Sequence, residues 1–343
     1  MIRTARPRPE PATDSHLLAD YVRKILAAPV YDLAICTPLQ GAPALSLALG
    51  NQILLKREDL QPTFSFKIRG AYNKLVRLSE AQRRRGVVTA SAGNHAQGVA
   101  LAARTLGIQA TIVMPTSTPE LKVRGVRSRE ATAVLHGESF PFALAHALQL
   151  AEERACPFVS PFDDPDVIAG QGTVAMELLN QHPGPLDAIF VPVGGGGLIA
   201  GIAAYVKYLR PEVRIIGVES EHSSCLQAAL RAGERVVLPK VGTFADGVAV
   251  AQIGAYGFAV CRAHVDEVIT VSNDQLCSAI KDIYDDTRSI TEPSGALAVA
   301  GIKQYVAAHG LRGQTLVAIN SGANINFDSL RHVAERAALG GAA

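Results

Sequence analysis

The chain has 343 residues, 48% of them hydrophobic and 19% charged, with a formal net charge of +2. That balance supplies a large core and excludes global disorder. Acids and bases are mixed along the sequence, which argues against a nucleic-acid surface or a polybasic membrane patch. Five widely spaced cysteines, Cys36, Cys156, Cys225, Cys261 and Cys277, contain no CxxC pair. They point to a reducing, cytoplasmic setting without a disulfide framework or a zinc site.

The N-terminal "MIRTARPRPEPATDS" lacks the apolar stretch of a secretory signal, and Glu10 and Asp14 weigh against a transit peptide, so it reads as a frayed tail. Further on, Arg83, Arg84 and Arg85 precede Gly86. This order places cations and then a glycine at a helix C-terminus, which accounts for the arginines without an anionic partner.

From about residue 85 strands and helices alternate. "GVVTAS" reads as a strand and 95–106 as a helix; "QATIVMP" as a strand and 119–126 as a helix. "ATAVLHG" is the next strand, 140–154 the next helix, and "PFVSPF" a further short strand. A second series starts with a helix from Gly172 to Asn180, then the strand "DAIFVPV", four glycines, a helix over 198–209 and the strand "VRIIGVES". The helices "DQLCSAIKDIYDD" and "SGALAVAGIKQYVAAHG", the strand "QTLVAINSG" and a final amphipathic helix complete the chain. The uncharged run 188–206 is long enough to span a membrane, but Pro192 and Gly194–Gly197 divide it. The pattern predicts an α/β fold of two open twisted sheets flanked by helices, with ligands at the carboxyl ends of strands in the cleft between them.

Three motifs carry chemistry. In "PVGGGGLIAG" glycines between strand and helix let the backbone approach an anion at a helix N-terminus, and a phosphate is the natural guest. The same stretch fits a dinucleotide fingerprint, with Gly195, Gly197 and Ala200 followed by Glu219 at the end of the next strand. A nicotinamide-dependent oxidoreductase is therefore an alternative. In "TASAGNHAQG" a turn capped by Ser91 or Asn94 offers donors to a carboxylate, or is an ordinary helix start. Lys67 stands between Phe66 and Ile68 where a loop becomes a helix. A desolvated lysine there is a Schiff-base former; an exposed one is a surface residue. An amine, a phosphate cradle and a carboxylate cradle together suit pyridoxal 5'-phosphate and an amino acid. Ser321, ending the last strand, either meets a ring nitrogen or caps the final helix.

The stretches "KREDLQPTFSFKIRGA", "SAGNHAQGVA", "PVGGGGLIAG", "TFADGVAV", "EPSGALAVAG" and "NSGANINFD" resemble the fold-type II pyridoxal-phosphate enzymes. They are most similar to the catalytic domain of biosynthetic threonine dehydratases. The resemblance runs from about Tyr31 to the end, in family order. It implies a tryptophan synthase β-like fold. Residues 1–85 and 171–343 would form a large cofactor-binding domain, and residues 86–170 a small domain that moves on substrate binding. It implies that Lys67 carries the cofactor, Phe66 neighbours the ring, Asn94 bonds the ring hydroxyl, Gly194, Gly195, Gly196, Gly197 and Leu198 hold the phosphate, and Ser321 faces the pyridine nitrogen. Ser91, Ala92, Gly93, Asn94 and His95 would hold the substrate carboxylate. The implied activity is conversion of L-threonine to 2-oxobutanoate and ammonia with side activity on L-serine. A dehydratase of serine or another β-hydroxy amino acid, or a non-catalytic amino-acid sensor, stands beside it. Ala92 replaces the second serine of racemase-like relatives, so racemisation should be poor. Cys225 replaces a carboxylate in the set Glu219, Ser223, Cys225, which argues against a divalent metal. Relatives suggest a homodimer or homotetramer. Since the chain stops at Ala343, no C-terminal regulatory domain and no isoleucine feedback are expected.

Overall fold

A computed structural model describes residues 12–340. Among the described residues nine strands form two sheets. They are β1 (Leu39–Gly41), β2 (Gln52–Arg57), β3 (Val87–Ala90), β4 (Ala110–Met114), β5 (Thr132–Leu135), β6 (Ala188–Pro192), β7 (Arg214–Ser220), β8 (Glu267–Val271) and β9 (Thr315–Asn320). The larger sheet has the order β1-β2-β9-β6-β7-β8 and the smaller β3-β4-β5. Only β1 pairs antiparallel, with β2. The other pairs are parallel, from Gln52↔Thr315 on β2–β9 to Thr111↔Thr132 on β4–β5.

Helices cover both faces of the larger sheet. One core packs Ala12–Leu26, Pro165–Gln181 and Gly197–Leu209 on one side, centred on Ile168, Ile199 and Ile202. The other packs Asn273–Thr287 and Pro293–His309 on the opposite side around Phe190, Leu297 and Ile280. The small sheet has its own two cores, with Val99 and Ile112 in one and Val113 and Ala147 in the other. Strands buried on both faces explain why β6 and the centre of β7, Ile215–Val218, read as continuous apolar runs.

Several expectations shift. The helix expected from Gly172 begins at Pro165, where Asp164 accepts from the N–H groups of Asp166 and Val167. The expected strand "PFVSPF" makes only a single bridge, Phe158 to Val88. Pro157 and Pro161 have no N–H with which to extend a ladder. The segment read as a frayed tail divides: Ala12 onward is helical, and residues 1–11 lie outside the described residues. The triple arginine does close the helix Glu80–Arg85, and Gly86 follows with φ +78°. The uncharged run 188–206 splits into β6 and the helix Gly197–Leu209, and among the described residues no helix is long and apolar enough to cross a membrane.

Candidate active site

Four strand ends build one cleft. Lys67 follows β2, Asn94 follows β3, Gly194 follows β6 and Ser321 follows β9. The cleft is lined by Phe66, Lys67, Asn94, the loop Gly194–Leu198 and Ser321, among others. All the residues expected to hold the cofactor thus meet in one place. Of the expected substrate turn only Asn94 lines the cleft; Ser91, Ala92 and Gly93 are half-buried and do not line it, and His95 is buried.

Lys67 is the first residue of the helix Lys67–Val76. Its segment is tied to β9 by the Phe66 N–H, which donates to the Ser321 carbonyl at 3.2 Å. The helix is fixed from behind by a buried ionic network. Arg69 donates to Glu58 at 2.7 Å and to Glu177 at 2.6 Å, and Lys56 donates to Glu177 at 2.6 Å. Two cations meet two carboxylates, and Thr37 Oγ1 donates to Glu58 at 2.6 Å. Balanced, hydrogen-bonded charge of this kind tolerates burial, whereas an unpaired member would not. The charged residues of "KREDL" are therefore structural.

Lys67 Nζ donates to the Pro161 carbonyl at 2.7 Å and lies 5.3 Å from the Phe66 ring centroid. Some of its surface faces the cleft, yet the protein around it strips away water and lowers its pKa to about 8; Glu292 opposes this weakly. The neutral amine is thus far more populated near neutral pH than that of an exposed lysine, though the ammonium still predominates there. This favours the Schiff-base side of the choice left open by its apolar neighbours.

The glycine loop leads into the helix Gly197–Leu209, whose N-terminus no side chain caps. Gly196 takes φ +88°, and a Cβ on Gly195 would lie 2.1 Å from the Phe162 ring. The loop is pressed between Phe162 and Val248, so its glycines serve packing as well as anion approach. Its N–H groups and the positive helix end provide an anion seat.

Asn94 does not cap its helix. Its Nδ2 donates to Glu292 at 2.6 Å and its Oδ1 accepts from Asn324 at 2.6 Å. Ser91 Oγ accepts instead from Gly93 at 3.2 Å and Ala96 at 3.3 Å. His95 Nε2 lies 3.2 Å from the Val159 carbonyl, which can only accept, so this nitrogen carries the proton. Burial, and then the Lys67 charge, lower its pKa to about 3. His95 is a neutral structural donor. Ser321 Oγ donates to the Ser294 carbonyl at 3.3 Å and does not cap the last helix.

The cleft also contains Phe162, Pro192, Gly247, Val248, Glu292 and Ser294, to which sequence reasoning gave no role. Ser294 Oγ is buried without a hydrogen-bond partner. Glu292 hid behind Pro293: an acid before a helix-starting proline reads as a cap, but Glu292 caps nothing. Glu219 takes the N–H groups of Leu226 at 2.8 Å and Gln227 at 2.9 Å, so its carboxylate is committed to the helix Cys225–Ala232 rather than free for a ribose. Cys225 Sγ donates to the Gly194 carbonyl at 3.3 Å, and burial pushes its thiol up to about 12. Among the described residues no cluster of three or more His, Cys, Asp or Glu could hold a metal ion.

The profile of the family "Pyridoxal-phosphate dependent enzyme" matches residues 30–322, which hold every residue that lines the cleft. The chain belongs to this family. It is 57% identical to the biosynthetic L-threonine dehydratase IlvA of Burkholderia multivorans over 94% of this chain and 64% of that protein. The fold matches the processed form of threonine deaminase isoform 2 from Solanum lycopersicum with TM-score 0.92 and 49% identity, covering 94% of each chain. It matches the threonine deaminase of T.th. with TM-score 0.82 and 39% identity, covering 91% of this chain and 98% of that one. The chain spans less than two thirds of the length of these curated dehydratase relatives. The cleft fits the family's cofactor: a half-buried amine of lowered pKa stands beside an uncapped helix N-terminus, and the Ser294 hydroxyl, without a hydrogen-bond partner among the described residues, lines the same space. The oxidoreductase alternative falls with the family match and with the committed carboxylate of Glu219.

Proposed function

We propose that this chain is a threonine ammonia-lyase that converts L-threonine to 2-oxobutanoate and ammonia, with side activity on L-serine. The observation that carries the reading is the half-buried Lys67 amine of lowered pKa, placed with the glycine loop and Ser321 in one cleft of a chain so similar to threonine dehydratases. Bound pyridoxal phosphate supplies the electrophilic aldehyde and the electron-withdrawing ring. Lys67 would carry it, Phe66 flank it, and Gly194–Leu198 hold its phosphate by backbone N–H groups. Asn94 would meet the ring hydroxyl and Ser321 the ring nitrogen. The turn Ser91–His95, which meets the cleft at Asn94, would bind the substrate carboxylate, with His95 neutral. The freed Lys67 amine would take the α-proton, the β-hydroxyl would leave as water with a proton from the cofactor's phosphate, and the released enamine would hydrolyse to the oxo acid and ammonia. A methyl group is worth only about 1–3 kcal/mol of discrimination, which is why serine is also accepted. Residues 86–170 act as a small domain that closes on substrate, and the working form is a cytoplasmic homodimer or homotetramer.

The test is hydride trapping of the purified protein followed by peptide mapping, with ammonia release measured on threonine, serine and other β-hydroxy amino acids. The label is expected on Lys67, and Lys67→Ala should abolish both the visible band and turnover. A label on another amine, or full turnover by the variant, overturns the reading. Ammonia release that favours serine over threonine would move the assignment to a serine dehydratase of the same family.

A further inference from the structure

Glu292 is 2% exposed and shares the cleft with Lys67. Its Oε1 accepts from Asn94 Nδ2 at 2.6 Å. The other end of Asn94 accepts from Asn324, whose amide also donates to the Thr63 carbonyl at 2.9 Å. The Asn94 amide cannot turn over without losing both hydrogen bonds, one buried and one partly buried. Glu292 therefore fixes the direction in which Asn94 presents its remaining N–H.

A second consequence concerns charge. When Lys67 takes the α-proton, the Cα–H bond breaks, an Nζ–H bond forms, and the electron pair stays on the substrate side. An amine becomes an ammonium inside a largely dry cleft, and such a cation needs a counter-charge nearby. Glu58 and Glu177 are already neutralised by Arg69 and Lys56. Asp246, on the turn Asp246–Val248, is paired with Lys122 of the helix Glu120–Arg127 at 2.5 Å. Of the carboxylates around the cleft, Glu292 lines it and has no cation of its own among the described ion pairs.

We propose that Glu292 is a positioning residue of the reaction: ionised, it orients the Asn94 amide and stands as counter-charge to the ammonium that Lys67 becomes. This rests on the lyase reading above, with Lys67 as the base. The groups facing Glu292 are Lys67 from its own helix, Asn94 from the helix Asn94–Thr105, Asp246 from the turn, Lys122 beyond it, and the Asn324 N–H. Burial, and then Asp246, raise the Glu292 pKa to about 7; the Asn94 hydrogen bond, Lys122 and the Asn324 N–H oppose this. Its charge is then present above neutrality and lost below it.

The test compares holoenzyme of the wild type, Glu292→Gln, Glu292→Asp and His95→Gln. Turnover is followed against pH with threonine and with α-deuterated threonine, and hydride trapping checks where the label sits. For E292Q we expect the label still on Lys67, turnover lower by about 10–100-fold, a larger isotope effect, and no acidic limb near neutrality. E292D should restore part of the rate and the limb. Wild-type rate and limb in E292Q overturn the proposal, as does a limb that persists in E292Q and vanishes in H95Q. Should E292Q fail to fold, E292D decides alone: a folded variant without the limb overturns the proposal, and one with it sustains the charge role. A wild-type label away from Lys67 would sink the lyase reading itself, a failure distinct from this one.

Discussion

Lys67 and Glu292 depart from their ordinary pKa values in opposite directions for one reason, since burial disfavours the charged form of each. For Glu292 this has a consequence for stability. Its folded pKa, about 7, lies above that of an exposed glutamate. Its protonated form therefore favours folding below the unfolded pKa, and that contribution is lost as pH rises through about 7. Glu292→Gln, which never ionises, should gain stability relative to the wild type as pH rises through that window, by at most roughly 3 kcal/mol. The gain should vanish in acid. Thermal unfolding of the two proteins from about pH 5 to about pH 9 checks it. A more stable but slower enzyme is the expected trade at a strained functional group. Arg69 poses the opposite case. Both carboxylates it binds are almost fully buried. Arg69→Met strands Glu58 and leaves Glu177 with Lys56 alone, so a loss of about 3–5 kcal/mol is expected in denaturant unfolding. Lys67 was legible in the sequence because a charge between two large apolar side chains demands an explanation. Glu292 was not, because a sequence gives no measure of how dry a carboxylate will be.

The strands and helices owe their legibility to burial on both sheet faces, which writes apolar runs for β6 and β7 and apolar stripes for the helices between. Where glycine and proline interrupt those runs, reading fails. The helix Pro165–Gln181 contains Gly170 and Gly172, which look like breaks. They are instead contact points. A Cβ on Gly170 would lie 2.6 Å from the Arg69 carbonyl and 2.7 Å from the Gly70 Cα. The helix bearing Lys67 thus rests backbone to backbone on its neighbour. Gly170→Ala must push the two apart, at a cost of about 1–3 kcal/mol, with Lys67 displaced as well. We expect a lower unfolding midpoint together with a drop in turnover that substrate concentration does not restore. Gly93→Ala, where an added Cβ meets nothing within 4 Å, is the contrasting substitution for packing. If G170A kept the wild-type midpoint, the close helix contact would not be the reason for glycine here.

At the scale of the molecule, sequence order alone does not show that β2, β6 and β9 end around one cleft; that follows from the strand order of the larger sheet, in which β9, the last strand, inserts between β2 and β6, while β3, in the smaller sheet, reaches the same cleft through Asn94. The family motifs gave the site its residues, and the topology gave them their neighbours. The same assembly sets Lys122, on the helix after β4, against Asp246 in the segment between β7 and β8, which links the part of the chain carrying the small sheet to the part carrying the large one. The pair is partly exposed, Asp246 at 47%, so its direct contribution to stability is small, about 0–1 kcal/mol at most. Its leverage lies in what it does to Glu292. The negative charge of Asp246 raises the Glu292 pKa, and the positive charge of Lys122 lowers it. Removing one charge at a time must therefore move Glu292 in opposite directions. Asp246→Asn should carry the acidic limb of turnover to lower pH, and Lys122→Gln should carry it to higher pH, each displacement kept small because solvent screens the pair. Raised salt should shrink both displacements. The measurement is the pH profile of threonine turnover for the two variants at low and high ionic strength. Limbs that move the same way, or not at all, would show that charge on the far side of the cleft does not reach Glu292.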